Sequence, residues 1–266
     1  MPSALYHLSG LKKAVGLNAA TAVLLRRLLR SDRPLTVYLA NYETKIEIEP
    51  RGSDLFVASQ IFGHEEYSLG DIVRDRLNER ARQIRADEKV PIIIDGGANV
   101  GYSALYFAKA FPDAKVIAFE PDRRTYDCLR RNTSGRDQID AIHGALWTHA
   151  QGVRISPDSD QASWSCHVST EGERQPSLVL SRIFDENPLW QPLIVKLDVE
   201  GAEREIIESS PDIFRTAACI MIEPHDFKFP GSCCLSSLYS VIASRPMDTL
   251  INGENLILLD PELTRL

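Results

Sequence analysis

The 266-residue chain has only five cysteines, and no two of them stand in a CxxC pair. Cys128, Cys166, Cys219, Cys233 and Cys234 are odd in number and include a vicinal pair that cannot form an ordinary structural bridge, which argues against a disulfide framework and against a zinc site. A long apolar run is also missing. Residues 19–25 are too few to span a bilayer, and Arg26-Arg27 follows without the small-residue cleavage site of a secretory signal. Both features lead to the expectation of a cytoplasmic protein with no transmembrane segment. Nor is there a basic excess: 30 Lys and Arg against 37 Asp and Glu give a formal charge of −7, which speaks against a nucleic acid partner and suits a small uncharged one.

What is present is a chain with 44% hydrophobic residues, long enough to bury a substantial core. Residues 1–34 read as an amphipathic helix. Leu17, Thr21, Leu24 and Leu28 recur at helical spacing, and Lys12, Lys13, Arg26, Arg27 and Arg30 supply a basic face. Such a helix packs on its own domain or makes peripheral contact with an anionic membrane, and packing is the commoner fate. Residues 35–90 read as lead-in strands (36–40 and 45–49), a short helix capped by Asp54 and a cover helix over 69–85.

From residue 91 to 266, apolar strands alternate with helices. Strands are expected at 92–95, 115–120, 138–143, 193–198 and 218–223, with helices at 102–111, 123–132 and 200–209 between them. Buried β-branched strands joined by helices indicate a parallel α/β sheet with right-handed crossovers. The polar segment 151–176 is expected to form a hairpin or lid, and 247–251 with 256–259 a closing hairpin.

The motif Asp95-Gly-Gly-Ala-Asn-Val-Gly101 lies where the first buried strand turns into its helix. Gly96 and Gly97 allow close backbone approach and Gly101 a tight helix start, so a ligand is expected on this loop. Glycines alone do not separate a nicotinamide dinucleotide from S-adenosylmethionine. Asp95 does: it would repel a pyrophosphate and favour an ammonium and a sulfonium. Glu120, at the end of the next strand and followed by Pro121, is placed to accept from two ribose hydroxyls. Asp198 and Glu200 follow the fourth strand of the series, at the edge where open α/β sheets bind ligands, whereas a dinucleotide enzyme needs no such acids. Glu203 is expected to cap or pair within its own helix.

These segments resemble the FkbM-like methyltransferases, a branch of the Rossmann-like S-adenosylmethionine-dependent enzymes. The likeness rests on residues 94–101, on Phe119-Glu-Pro121, on Lys196-Leu-Asp-Val-Glu-Gly-Ala-Glu203 and on Ile222-Glu-Pro-His225, with Arg51-Gly-Ser-Asp54 upstream. It implies a class I fold: a seven-stranded, mostly parallel sheet with its last strand antiparallel, helices on both faces and an N-terminal extension. It further implies O-methylation of a hydroxyl on a small metabolite, sugar or polyketide. Cofactor contacts are implied at Asp95, Gly96, Gly97, Ala98, Asn99, Gly101, Glu120, Pro121 and Asp198, with Ala145 and Leu146 bordering the adenine.

An alcohol needs its proton removed, and the candidates to do so are His225, Asp198, Glu223 and Glu200. His225 leads, because its ordinary pKa lies near working pH. A divalent metal held by Asp198, Glu200 and Glu223 is the rival mechanism and is not favoured. A nicotinamide-dependent oxidoreductase would leave Asp95 and the later acids unexplained. A non-catalytic cofactor-binding module would be expected to have lost the acceptor-side acids. Trp147 and Trp164 are expected to pack in the core or lid rather than stack on an acceptor.

Overall fold

A computed structural model describes residues 4–157, 166–169, 173–226, 228–231, 233–243 and 245–263. Its centre is a seven-stranded sheet of Val90–Gly96 (β1), Lys115–Glu120 (β2), Ile139–His143 (β3), Trp190–Leu197 (β4), Cys219–Ile222 (β5), Asp248–Asn252 (β6) and Asn255–Leu259 (β7). The strand order is β6-β7-β5-β4-β1-β2-β3. β7 runs antiparallel to both its neighbours, while β1 to β5 pair in parallel. This is the class I arrangement implied by the resemblance. Strand order reverses between β1 and β4, and a ligand crevice is expected at that switch point.

The side chains of each strand alternate between two cores, as the two-residue period of a strand requires. Ile93, Val116, Ala118 and Ile194 join one apolar cluster and Ile92, Ile94, Ile117 and Val195 the other. On the first face lie Ala4–Leu28 (α1), Gly70–Ala86 (α3), Tyr102–Ala110 (α4) and Arg123–Asn132 (α5), with the short Asp54–Ala58 (α2) between α1 and α3 in sequence. On the second lie Leu180–Asp185 (α6), Glu203–Ser209 (α7), Pro211–Thr216 (α8) and Ser236–Ile242 (α9). The lead-in strands form a separate antiparallel pair, Leu35–Leu39 with Thr44–Ile48. Residues 151–176 contribute a three-stranded antiparallel sheet, where Val153 and Ile155 pack with Ala145 and the half-buried Trp147. Trp164 lies outside the described residues.

Several local expectations are corrected. α1 turns Leu11, Ala20 and Val23 inward and leaves Leu17, Thr21 and Leu28 outside, the reverse of the expected apolar stripe. Its sequence carries two apolar stripes, and a left-handed Gly16 (φ 80°) resets the phase between its halves. Asp54 does not cap the helix it starts; its carboxylate accepts from the Glu49 backbone N–H at 2.8 Å instead. The helix expected from Glu200 begins at Glu203, because Glu200 and Gly201 both take positive φ (53° and 95°) and form a turn.

Candidate active site

At the carboxyl edge of β1, β2, β4 and β5 lies a cavity of about 680 Å³. Gly97, Ala98 and Asn99 form its floor. The Gly97 and Ala98 N–H groups both donate to the Phe119 carbonyl, so the glycine loop is stitched onto β2. At Gly97, φ is +74° and an added Cβ would sit 1.8 Å from the Asp198 carbonyl oxygen, so the close passage of the two loops depends on glycine.

Glu120 and Pro121 form the next part of the wall. One Glu120 oxygen accepts from the Asn99 N–H at 3.0 Å and the other from the Asp122 N–H at 2.9 Å. Each oxygen keeps a second lone pair for a further donor. Burial raises the Glu120 pKa to about 8 despite these hydrogen bonds. Two hydroxyl donors would favour the ionised form again, which makes the residue a good fit to a ribose diol. Ala145 and Leu146 border the same space.

Asp95, Gly96, Gly101 and His225 do not line the cavity. Asp95 is fully buried behind the loop, where one oxygen accepts from Ser103 Oγ at 2.6 Å and the other lies 3.2 Å from Lys196 Nζ. Its charge is therefore met by the protein, which corrects the expectation of a direct cationic ligand. Lys196 was not anticipated, although a lone charged residue inside an apolar strand was the available signal. Its ammonium also donates to the Gly97 carbonyl at 2.9 Å, lies 3.7 Å from Asp198 and reaches the cavity wall. Burial favours loss of its proton, but Tyr67, Asp95 and Asp198 outweigh that and hold its pKa above the ordinary value.

Across the cavity, Asp198, Glu200 and Glu223 form an acidic rim, joined by Glu66, which the resemblance places in the lead-in segment without a site role, and by Glu254. The Asn252 side-chain amide holds the Glu66 carbonyl at 2.7 Å, so the β6–β7 turn clamps the lead-in segment beside the site. Burial raises the Glu66 pKa to about 7.

Behind the rim, His225 is fully buried. Its Nδ1 lies 2.7 Å from a Glu203 oxygen that also accepts the Gly201 N–H at 3.2 Å, so Glu203 pairs across elements as well as holding the turn at the start of its own helix. Nε2 faces Glu200 at 3.4 Å, Glu223 at 3.6 Å and Asp198 at 3.8 Å. Burial alone would lower the His225 pKa, but the Glu203 hydrogen bond and the charges of Asp198 and Glu200 dominate and raise it to about 9. Burial and the neighbouring Asp198 raise Glu223 to about 8. Lys228, also new to the site, binds Glu200 at 2.6 Å. Ligand atoms of Asp198, Glu200 and His225 lie within 4.8 Å of one another, close enough to hold one cation.

A family model described as the methyltransferase FkbM domain matches residues 95–244, more than half of the chain. The chain belongs to the FkbM methyltransferase family. Methyltransferase sdnD of Sordaria araneosa is 42% identical over 52 residues, 20% of each chain. Hexuronic acid methyltransferase AglP of Haloferax volcanii is 25% identical over 157 residues, covering 58% of this chain and 62% of that protein. 2-O-methyltransferase NoeI of Sinorhizobium fredii is 25% identical over 177 residues, covering 58% and 72%. The chain thus spans less than two thirds of the first two relatives. Among the described residues no helix is long and apolar enough to cross a membrane.

Proposed function

We propose that this FkbM-family chain transfers a methyl group from S-adenosylmethionine to a hydroxyl of a small uncharged acceptor, a sugar being the best fit, with residues 91–266 as the cofactor-binding core. The observation that carries this reading is that one cavity joins the glycine loop and Glu120 to the rim of Asp198, Glu200 and Glu223. AglP is named for a hexuronic acid, an acidic sugar, and NoeI for a 2-O position, which supports a sugar ring and an oxygen acceptor, while the rim of this chain departs from AglP's acceptor in disfavouring a carboxylate. The acidic rim favours a polyol, whose hydroxyls can donate to carboxylates, over an acidic acceptor, which they would repel.

S-adenosylmethionine, when bound, supplies a methyl group already activated on a sulfonium. The chain's own task is to orient the acceptor oxygen and take its proton. Glu120 would hold the ribose, Gly97 to Asn99 would pass under the ligand, and Ala145 and Leu146 would flank the adenine. Gly96 and Gly101 would shape the loop, and Asp95 would act through Lys196. Glu223 lies on the cavity wall with a pKa near neutrality, so we assign it the base role, ahead of Asp198 and Glu200. His225, held by Glu203 behind the wall, would position Glu223 and share its proton.

A second reading has an observation of its own. Asp198, Glu200 and His225 can converge on one divalent cation, and Glu203 on the opposite ring nitrogen is the outer partner that metal-binding histidines commonly have. One assay separates the two. The full chain is incubated with methyl-labelled S-adenosylmethionine and neutral sugars, and the products are weighed by mass spectrometry with and without EDTA. The base reading expects a product heavier by one methyl group and a rate that the chelator leaves within about twofold. A rate that collapses with EDTA and returns with magnesium would make the acids and His225 ligands. No methylated product from any hydroxylated acceptor would count against the reaction itself.

A further inference from the structure

We propose that the outer face of α1 docks on an anionic lipid surface. The inner face is fully used. Leu11, Ala20 and Val23 are at most 1% exposed, the Tyr6 ring stacks on His64, and His7 packs edge-on against Phe56. Arg27 donates to the carbonyls of Pro50 and Gly52, tying the helix to the domain. The helix therefore does not need its outer side for folding.

That outer side is nevertheless apolar. Leu5, Leu17, Leu25, Leu28 and Leu29 are 53–80% exposed. A few exposed leucines on a protein surface mean little, but Leu17, Leu25, Leu28 and Leu29 cluster on or directly after the half of α1 that follows Gly16, with Leu5 exposed on the half before it.

Charge selects the partner. The first 31 residues hold Lys12, Lys13, Arg26, Arg27 and Arg30 and no acid, in a chain whose net charge is −7. Lys12, Lys13 and Arg30 are exposed. Leucines interleaved with cations match the interface of an anionic bilayer, where apolar side chains enter the acyl boundary and cations meet the headgroups. A nucleic acid would satisfy the cations and leave the leucines in water. With five cations and no acid, this segment is locally positive in a chain of net negative charge, so it is the part that such a bilayer would attract.

The test is co-sedimentation of the full chain with vesicles of phosphatidylcholine alone or with 30 mol% phosphatidylglycerol. Binding is expected only to the anionic vesicles and should weaken as salt rises. Lys12→Gln with Lys13→Gln should weaken it about 30-fold, since each cation near the surface contributes about 1 kcal/mol. Leu25→Ser with Leu28→Ser should weaken it at least tenfold, with the melting temperature unchanged in both variants because these side chains are exposed. Absence of sedimentation at low salt, or equal binding by wild type and both variants, overturns the proposal. So does a dimer in solution that the leucine variant dissociates, because the face would then belong to a second copy.

Discussion

Glu223→Gln should lower the rate of methyl transfer by roughly two to four orders of magnitude, the usual contribution of a positioned general base, while S-adenosylmethionine affinity changes little. The amide keeps the size of the side chain and removes its basicity. The pH profile supplies a second readout. A base works deprotonated, so in the wild type kcat/KM should rise with pH through the raised pKa of Glu223, about 8, and level off above that of His225, about 9. The two groups are 3.6 Å apart and titrate as a unit, so the midpoint belongs to the pair. His225→Asn removes the imidazolium that lowers the Glu223 pKa, so it should shift the profile toward higher pH, with a smaller loss of rate. If Glu223→Gln keeps near-normal turnover and His225→Asn does not, the assignment is reversed and the imidazole reaches the acceptor itself.

Lys196→Met should destabilise the fold by about 3–5 kcal/mol, the usual cost of breaking a buried pair by removing one partner. Asp95 is 0% exposed and Lys196 1%, so solvent cannot take over the carboxylate's charge. Ser103 would remain its only side-chain hydrogen bond shown at that site. Adding Asp95→Asn to Lys196→Met should restore much of the loss, because the uncompensated charge goes with it. Urea unfolding of the single and double variants checks this. A single variant as stable as wild type would mean that Asp95 finds another cation or takes up a proton.

Much of the fold was legible because its signals are local. The isoleucines at 92–94, the glycines after Asp95 and the Asn-Gly turn at 252–253 each fix one element through neighbouring residues. The face of α1 was misread because a periodic stripe shows that apolar positions align, not which of two stripes meets the core. The residues singled out around the site were mostly ends of strands, and the parallel topology brings such ends to one edge. What escaped were pairings between elements. Glu203 and His225 are 22 residues apart on different segments, and Lys196 meets Asp95 only once β4 lies beside β1. Glu66 and Glu254 reach the cavity through contact of the lead-in segment with the β6–β7 turn, which no motif of either segment encodes.

The most direct test of the central claim is calorimetric titration of S-adenosylmethionine and of NADH into the wild-type chain and into Gly97→Ala. The account predicts one-to-one binding of S-adenosylmethionine, no heat from NADH, and binding lost in Gly97→Ala, where the new methyl group would meet the Asp198 carbonyl at 1.8 Å. A circular dichroism melt confirms that the variant is folded. Tight binding of NADH, or S-adenosylmethionine affinity unchanged in the folded variant, would contradict it.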